Sequence, residues 1–233
     1  GANGVGGIAG QLMPSFVINF EDFEDLTKEE FDEDKFNAAL GDLSSSLGNN
    51  LEETDISLGV EIKDVSRDDT EEDTLAKTYQ CVNYGEIYGV KYTGGIAGNA
   101  NSEATMDMKE DITINGEMSL SGTGEIRLVI RDCTNYAKIS INNKYAGGII
   151  GYMGVGAILE AKNLGNMDCL SAKYIGGIAG RCDTVISDSV NKCIIAGKNY
   201  VGGIAGLGYE AYDNCAFVDI AAGTKYVGTI FGS

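Results

Sequence analysis

One phrase recurs six times along this chain and constrains its fold more than any other feature. It reads GVGGIAG from Gly4, KYTGGIAG from Lys91, KYAGGIIG from Lys144, KYIGGIAG from Lys173, KNYVGGIAG from Lys198 and KYVGTIFG from Lys225. The first glycine of the pair falls at 6, 94, 147, 176, 202 and 228, so the last three intervals are 29, 26 and 26 residues. The earlier intervals, 88 and 53, fit a unit of similar length interrupted by insertions of about 60 and about 25 residues. A fixed period of this kind marks a repeat array, in which each unit buries its apolar side against its neighbours.

Within the unit, Tyr stands two residues before the glycine pair (Tyr92, Tyr145, Tyr174, Tyr200, Tyr226) and Ile two after its first member (Ile8, Ile96, Ile149, Ile178, Ile204, Ile230). Upstream lies an Asn column (Asn83, Asn135, Asn163, Asn191), with small residues two places earlier (Cys81, Cys133, Ala161, Ser189) and Cys215 expected at the small position of the last unit. β-branched and aromatic residues broken by Gly and Asn predict two or three short strands per unit, with no helical period. Twenty-six residues are too few for a propeller blade and suit one coil of a parallel β-solenoid, with like residues stacked about 4.8 Å apart. Tyr and Ile are then expected as apolar ladders, Asn as an amide ladder at a turn, and Gly where a corner needs unusual dihedrals. Val201 and Ile204 can both face inward only if the chain bends at the glycine pair, which places a corner there.

The predicted class is therefore all-β, a parallel β-solenoid of about 26-residue repeats, with a small acidic helical insertion and a β-hairpin insertion. The map is a partial first repeat over 1–10, an acidic insertion over 11–74, a repeat over 75–98, a hairpin insertion over 99–125 and four further repeats over 126–233. In the first insertion, Thr27 and Glu30 form a capping box and Leu26 with Phe31 a staple, predicting a helix near 28–40; residues 48–74 look loosely structured. In the second, Asn115-Gly116 between alternating apolar residues predicts a hairpin.

Composition narrows the chemistry. The chain has no His and no Trp, which removes Ser-His-Asp, Cys-His and HExxH chemistry and Trp stacking on sugars. Net charge is −18, and residues 11–80 carry 20 acidic against 5 basic side chains, so nucleic acid is an unfavourable partner. No apolar run approaches a membrane span and no signal peptide is present; because the chain opens inside a repeat, it is read as part of a larger protein.

The six cysteines form no CxxC pair; buried filler is the leading reading, and a disulfide involving Cys182 the other. The stretch RDDTEEDT, 67–74, is read as a solvated loop, with Ca²⁺ binding as the alternative. Gly4-x-Gly6-x-x-Ala9 resembles a dinucleotide loop only superficially, since no helix pattern follows it. Acids within the repeats (Asp132, Glu160, Asp183, Asp188, Asp213, Asp219) carry no signature of a catalytic pair. Lys91, Lys144, Lys173 and Lys225 form a stripe beside the Tyr column. It is read as solvent-facing charge that discourages aggregation, as a dock for the acidic insertion, or as a binding face for an external anionic polymer.

The Tyr-x-Gly-Gly-Ile-x-Gly phrase with its upstream Asn resembles the GLUG-motif repeats of bacterial secreted and cell-surface proteins. The resemblance covers residues 75–98 and 126–233 and the opening fragment. It implies an extracellular or surface-displayed scaffold; peptidase activity found beside some such repeats does not carry over to a chain without His. The expectation is a non-catalytic structural or adhesive scaffold with no cofactor. Its partners would be a cell-wall or host glycan or a host surface protein. The alternative is a polysaccharide-binding or polysaccharide-processing module.

Overall fold

The computed structural model describes residues 3–20, 59–101, 121–222 and 225–233. The helix expected near 28–40 and the hairpin at 111–120 lie outside these residues. The described chain is nearly all β, and every strand pairing within the repeat unit is parallel. It divides into two compact units, the first comprising Gly1–Ser15, Asp64–Ser102 and Arg127–Ser233, the second Phe16–Lys63 and Glu103–Ile126. Parts of the two insertions therefore fall together in the second unit. A three-stranded sheet in the order Ser15–Phe20, Ser121–Arg127, Gly59–Asp64 joins them.

In the first unit each repeat supplies a long strand ending at the glycine pair: Ile87–Gly94, Ile139–Gly147, Met167–Gly176 and Ile194–Gly202. Each pairs with its counterpart one repeat on, Gly94 with Gly147, Gly147 with Gly176 and Gly176 with Gly202. A second sheet takes the strands after the pair, Ala9–Leu12, Ala97–Ala100, Ile150–Met153, Ala179–Ser187 and Ala205–Tyr212. Ala179–Ser187 pairs with Ile150–Met153 on its first half and with Ala157–Leu159 on its second, so this sheet curls strongly. The third sheet stacks five two-residue strands from Val82–Asn83 to Cys215–Ala216. The strands after the glycine pair end at Leu12 and Ala100, which lie opposite each other.

Two apolar clusters fill the interior. Ile96, Ile149, Ile178 and Ile204 lead one, joined by Ile130, Ile158 and Ile186; Ile139, Met167, Ile175, Ile195 and Val201 lead the other. Full burial of each such side chain is worth about 1.5–3 kcal/mol. The Asn column forms the expected ladder: Asn83 Nδ2 donates to Asn135 Oδ1, Asn135 to Asn163 and Asn163 to Asn191, at 2.9–3.0 Å.

Three expectations are corrected. Unusual dihedrals fall on the tyrosines and not on the glycine pair: Tyr92, Tyr145, Tyr174, Tyr200 and Tyr226 have φ between 52° and 64°. The pair is instead demanded by close approach, since a Cβ on Gly148 would stand 2.0 Å from the Gly177 carbonyl oxygen and 2.2 Å from Asn163 Cγ. The left-handed turn carries the tyrosines outward, so they form an external stack rather than a core ladder, half-buried from Tyr92 to Tyr200 and exposed at Tyr226, with successive centroids 4.5–5.3 Å apart. In the last repeat Cys215 lies opposite Val190 and is exposed; Asn214 takes the place beside Ser189, donating to the Ile186 carbonyl and accepting from the Ser189 N–H.

Residues 59–73 also depart from the loose structure expected. A strand ends at Asp64, whose carboxylate accepts from the Ser66 and Gly156 N–H groups, and Ser66 Oγ accepts from Leu128 N. Asp68, Glu71 and Glu72 are exposed, as a solvated loop requires, but the Asp69 side chain is 0% exposed. Lys77 at 2.9 Å, Arg127 at 3.3 Å and Arg131 at 3.4 Å surround it, which is a cation-filled environment and the opposite of a Ca²⁺ site.

Candidate functional site

Alternation along the long strands builds an external feature that crosses three repeats. Ile87, Ile139 and Met167 point inward and are buried, so Tyr88, Ser140 and Asp168 point outward, and pairing sets these three in one row across successive repeats. Tyr88 is 68% exposed. Beyond this row the register slips, between Ile141 and Lys144 and between Cys169 and Lys173, and the bulged segments carry Asn142, Leu170 and Ser171 outward. Small Ser140 on the middle repeat lies between larger neighbours, and Gly89 and Val90 are half-buried. The result is an open trough of about 610 Å³ lined by Tyr88, Ser140, Asn142, Asp168, Leu170 and Ser171, among others.

Charges at its edge are paired. Tyr88 donates its hydroxyl proton to Glu86 at 2.5 Å, and Lys138 bonds Asp168 Oδ2 at 2.8 Å. The Glu86 carboxylate pushes the Tyr88 phenol above its ordinary range, and the Asp168 carboxylate does the same to the Lys138 ammonium. Phenol and ammonium therefore stay protonated at neutral pH. Sequence reasoning missed all four residues, although the alternation Ile87-Tyr88, Ile139-Ser140, Met167-Asp168 carried the signal.

The lysine stripe lies on the same strands, further along. Lys91, Lys144 and Lys173 are consecutive in register, with Asn199 between Lys173 and Lys225. Lys144, Lys173 and Lys225 are exposed, whereas Lys91 is half-buried with its Nζ 4.2 Å from the Tyr92 ring centroid. Of the acidic insertion, residues 64–73 pack elsewhere, against Lys77, Arg127 and Arg131. Beside the tyrosine stack, Tyr152 donates to Asp183 at 3.0 Å and Arg181 bonds the same carboxylate at 2.7 Å.

All six cysteines are free, and Cys182 lies 3.5 Å from the Thr184 hydroxyl rather than in a disulfide. Burial pushes the Cys133 and Cys169 thiols up to about 12 and those of Cys182 and Cys193 up to about 11. The scattered acids prove partly columnar: Asp132, Glu160, Asp188 and Asp213 occupy one left-handed corner, with φ from 47° to 55°. Among the described residues no group of three or more His, Cys, Asp or Glu could hold a metal ion, and no helix is long and apolar enough to cross a membrane. Comparison with family models, curated proteins and solved structures finds no match.

Proposed function

We propose that this chain is a parallel β-solenoid acting as a non-catalytic, adhesive scaffold at the cell surface. The observation that carries the reading is pairing of like with like, repeat after repeat, in the three sheets of the first unit. Such an array has a continuous core and presents outward-facing rows of side chains at strand spacing, which suits display of a repeated contact surface. Protonated thiols at neutral pH and carboxylates held by cations (Asp168 by Lys138, Glu160 by Arg131, Asp183 by Arg181) support binding over chemistry.

Antibodies against the purified chain should label intact cells that make it, and beads coated with the chain should adhere to host cells or cell-wall material. Labelling that appears only after permeabilisation, or beads that do not adhere, would overturn the proposal. The trough supports the polysaccharide-binding alternative as the mode of adhesion, which is developed next.

A further inference from the structure

We propose that the trough across Ile87–Gly94, Ile139–Gly147 and Met167–Gly176 binds an uncharged oligosaccharide, with Tyr88 as the platform on which a sugar ring stacks. The inference rests on the adhesive-scaffold reading and names its ligand class.

A pyranose has an apolar C–H face and a rim of hydroxyls, so its site needs an aromatic ring flanked by small polar groups. The trough provides this combination. Tyr88 is largely exposed, and its bond to Glu86 restrains the ring, lowering the cost of ordering it on binding. Ser140, Asn142, Ser171 and Asp168 supply hydroxyl, amide and carboxylate partners along the floor and far side. From the strand of Tyr88 to that of Asp168 is two strand spacings, about 10 Å, which is wide enough for a sugar ring lying between them. Ser140 keeps that interval open; a larger side chain there would fill it.

Charge selects against anionic polymers. Lys138 is matched by Asp168, Glu86 is a further acid beside the trough, and the chain as a whole carries −18. A peptide adding as an extra strand is disfavoured because Ile139–Gly147 and Met167–Gly176 are paired on both sides and offer no free main-chain edge. What remains is recognition by an aromatic face and side-chain hydrogen bonds, with a ligand that need not be charged.

The test is calorimetric titration of the whole chain with uncharged hexasaccharides: β-1,4-glucan, β-1,4-xylan, β-1,4-mannan and chitin oligomers. We expect saturable binding of at least one, retained at about 0.5 M salt, where electrostatic attraction is screened to a few ångströms. Tyr88→Ala should weaken it about tenfold, and Ser140→Leu should abolish it. Tyr209→Ala, removing a ring that is 71% exposed outside the trough, should leave it unchanged. Circular dichroism and urea midpoints matching the parent establish that each variant is folded. No binding by any hexasaccharide, or binding indifferent to Tyr88→Ala, would overturn the proposal. Cell labelling separates the two ideas. Surface labelling without sugar binding discards the trough and keeps the scaffold, whereas sugar binding without surface labelling keeps the trough and discards the scaffold.

Discussion

At the scale of single residues, the repeated phrase divides its work unexpectedly. A left-handed backbone costs a non-glycine residue about 1–2 kcal/mol, yet tyrosine holds that position in five repeats. Each stacked ring pair returns about 0.5–1.5 kcal/mol, and Tyr174 stacks on both Tyr145 and Tyr200. Tyr174→Ala forfeits the stacking and keeps the strain, whereas Tyr174→Gly forfeits the stacking and relieves it. Urea unfolding should therefore find the glycine variant more stable than the alanine variant by about 1 kcal/mol; the reverse order would refute a strained corner. Asn163 is a second sensitive point, bonded to Asn135, Gly165 and Asn191 in the buried ladder. Asn163→Ala should cost about 3 kcal/mol or more, because several buried polar groups lose partners together. An equal loss on Asn83→Ala, at the end of the described ladder, would argue against that account.

At the scale of elements, the segment between Asp64 and Lys77 shows how a charged stretch can hide a structural role. RDDTEEDT has the composition of a solvated loop, and nothing in its own sequence distinguishes Asp69 from Asp68. The distinction comes from Lys77, Arg127 and Arg131, the last two nearly sixty residues away or more in sequence and adjacent only once the repeats pair. The same segment reaches the final repeat through Arg67 and Glu210, 2.7 Å apart, and Arg67 and Asp68 border Leu159 and Val185 on the outer face. Asp69→Ala leaves the largely desolvated Lys77 without its carboxylate and removes one of two acidic partners from Arg127 and from Arg131, a change that typically costs about 3–5 kcal/mol. Arg67→Ala, which breaks an exposed pair, should cost no more than about 1 kcal/mol. Comparable losses from both variants in urea unfolding would mean that Asp69 is not the anchor. Parallel pairing and the Asn ladder were legible in the sequence because both follow from a period, and the outward row Tyr88, Ser140, Asp168 was legible from alternation; strain at Tyr and the bulges that shape the trough were not, because backbone dihedrals and register slips leave no compositional mark.

For the whole molecule, four buried thiols give stability an alkaline limit. In the unfolded chain a thiol ionises near its ordinary value of 9.0, while the native protein keeps Cys133 and Cys169 protonated to about 12 and Cys182 and Cys193 to about 11. Between these values the unfolded state binds fewer protons, so stability is complete below pH 9 and falls as pH rises through the folded values. The urea midpoint should hold steady up to about pH 8.5 and decline beyond it, less steeply in a Cys169→Ala, Cys182→Ala double variant. Identical slopes for parent and variant would exclude the thiols as the cause. A separate consequence follows from where the two insertions leave the repeat. Both depart from the same corner, after Leu12 and after Ala100, and the corresponding corner at Met153 is crossed by only three residues, Gly154, Val155 and Gly156. Sequence added at that corner leaves every stacked row uninterrupted, so a foreign domain spliced after Met153 is expected to hang outside the array with the pairing on either side kept.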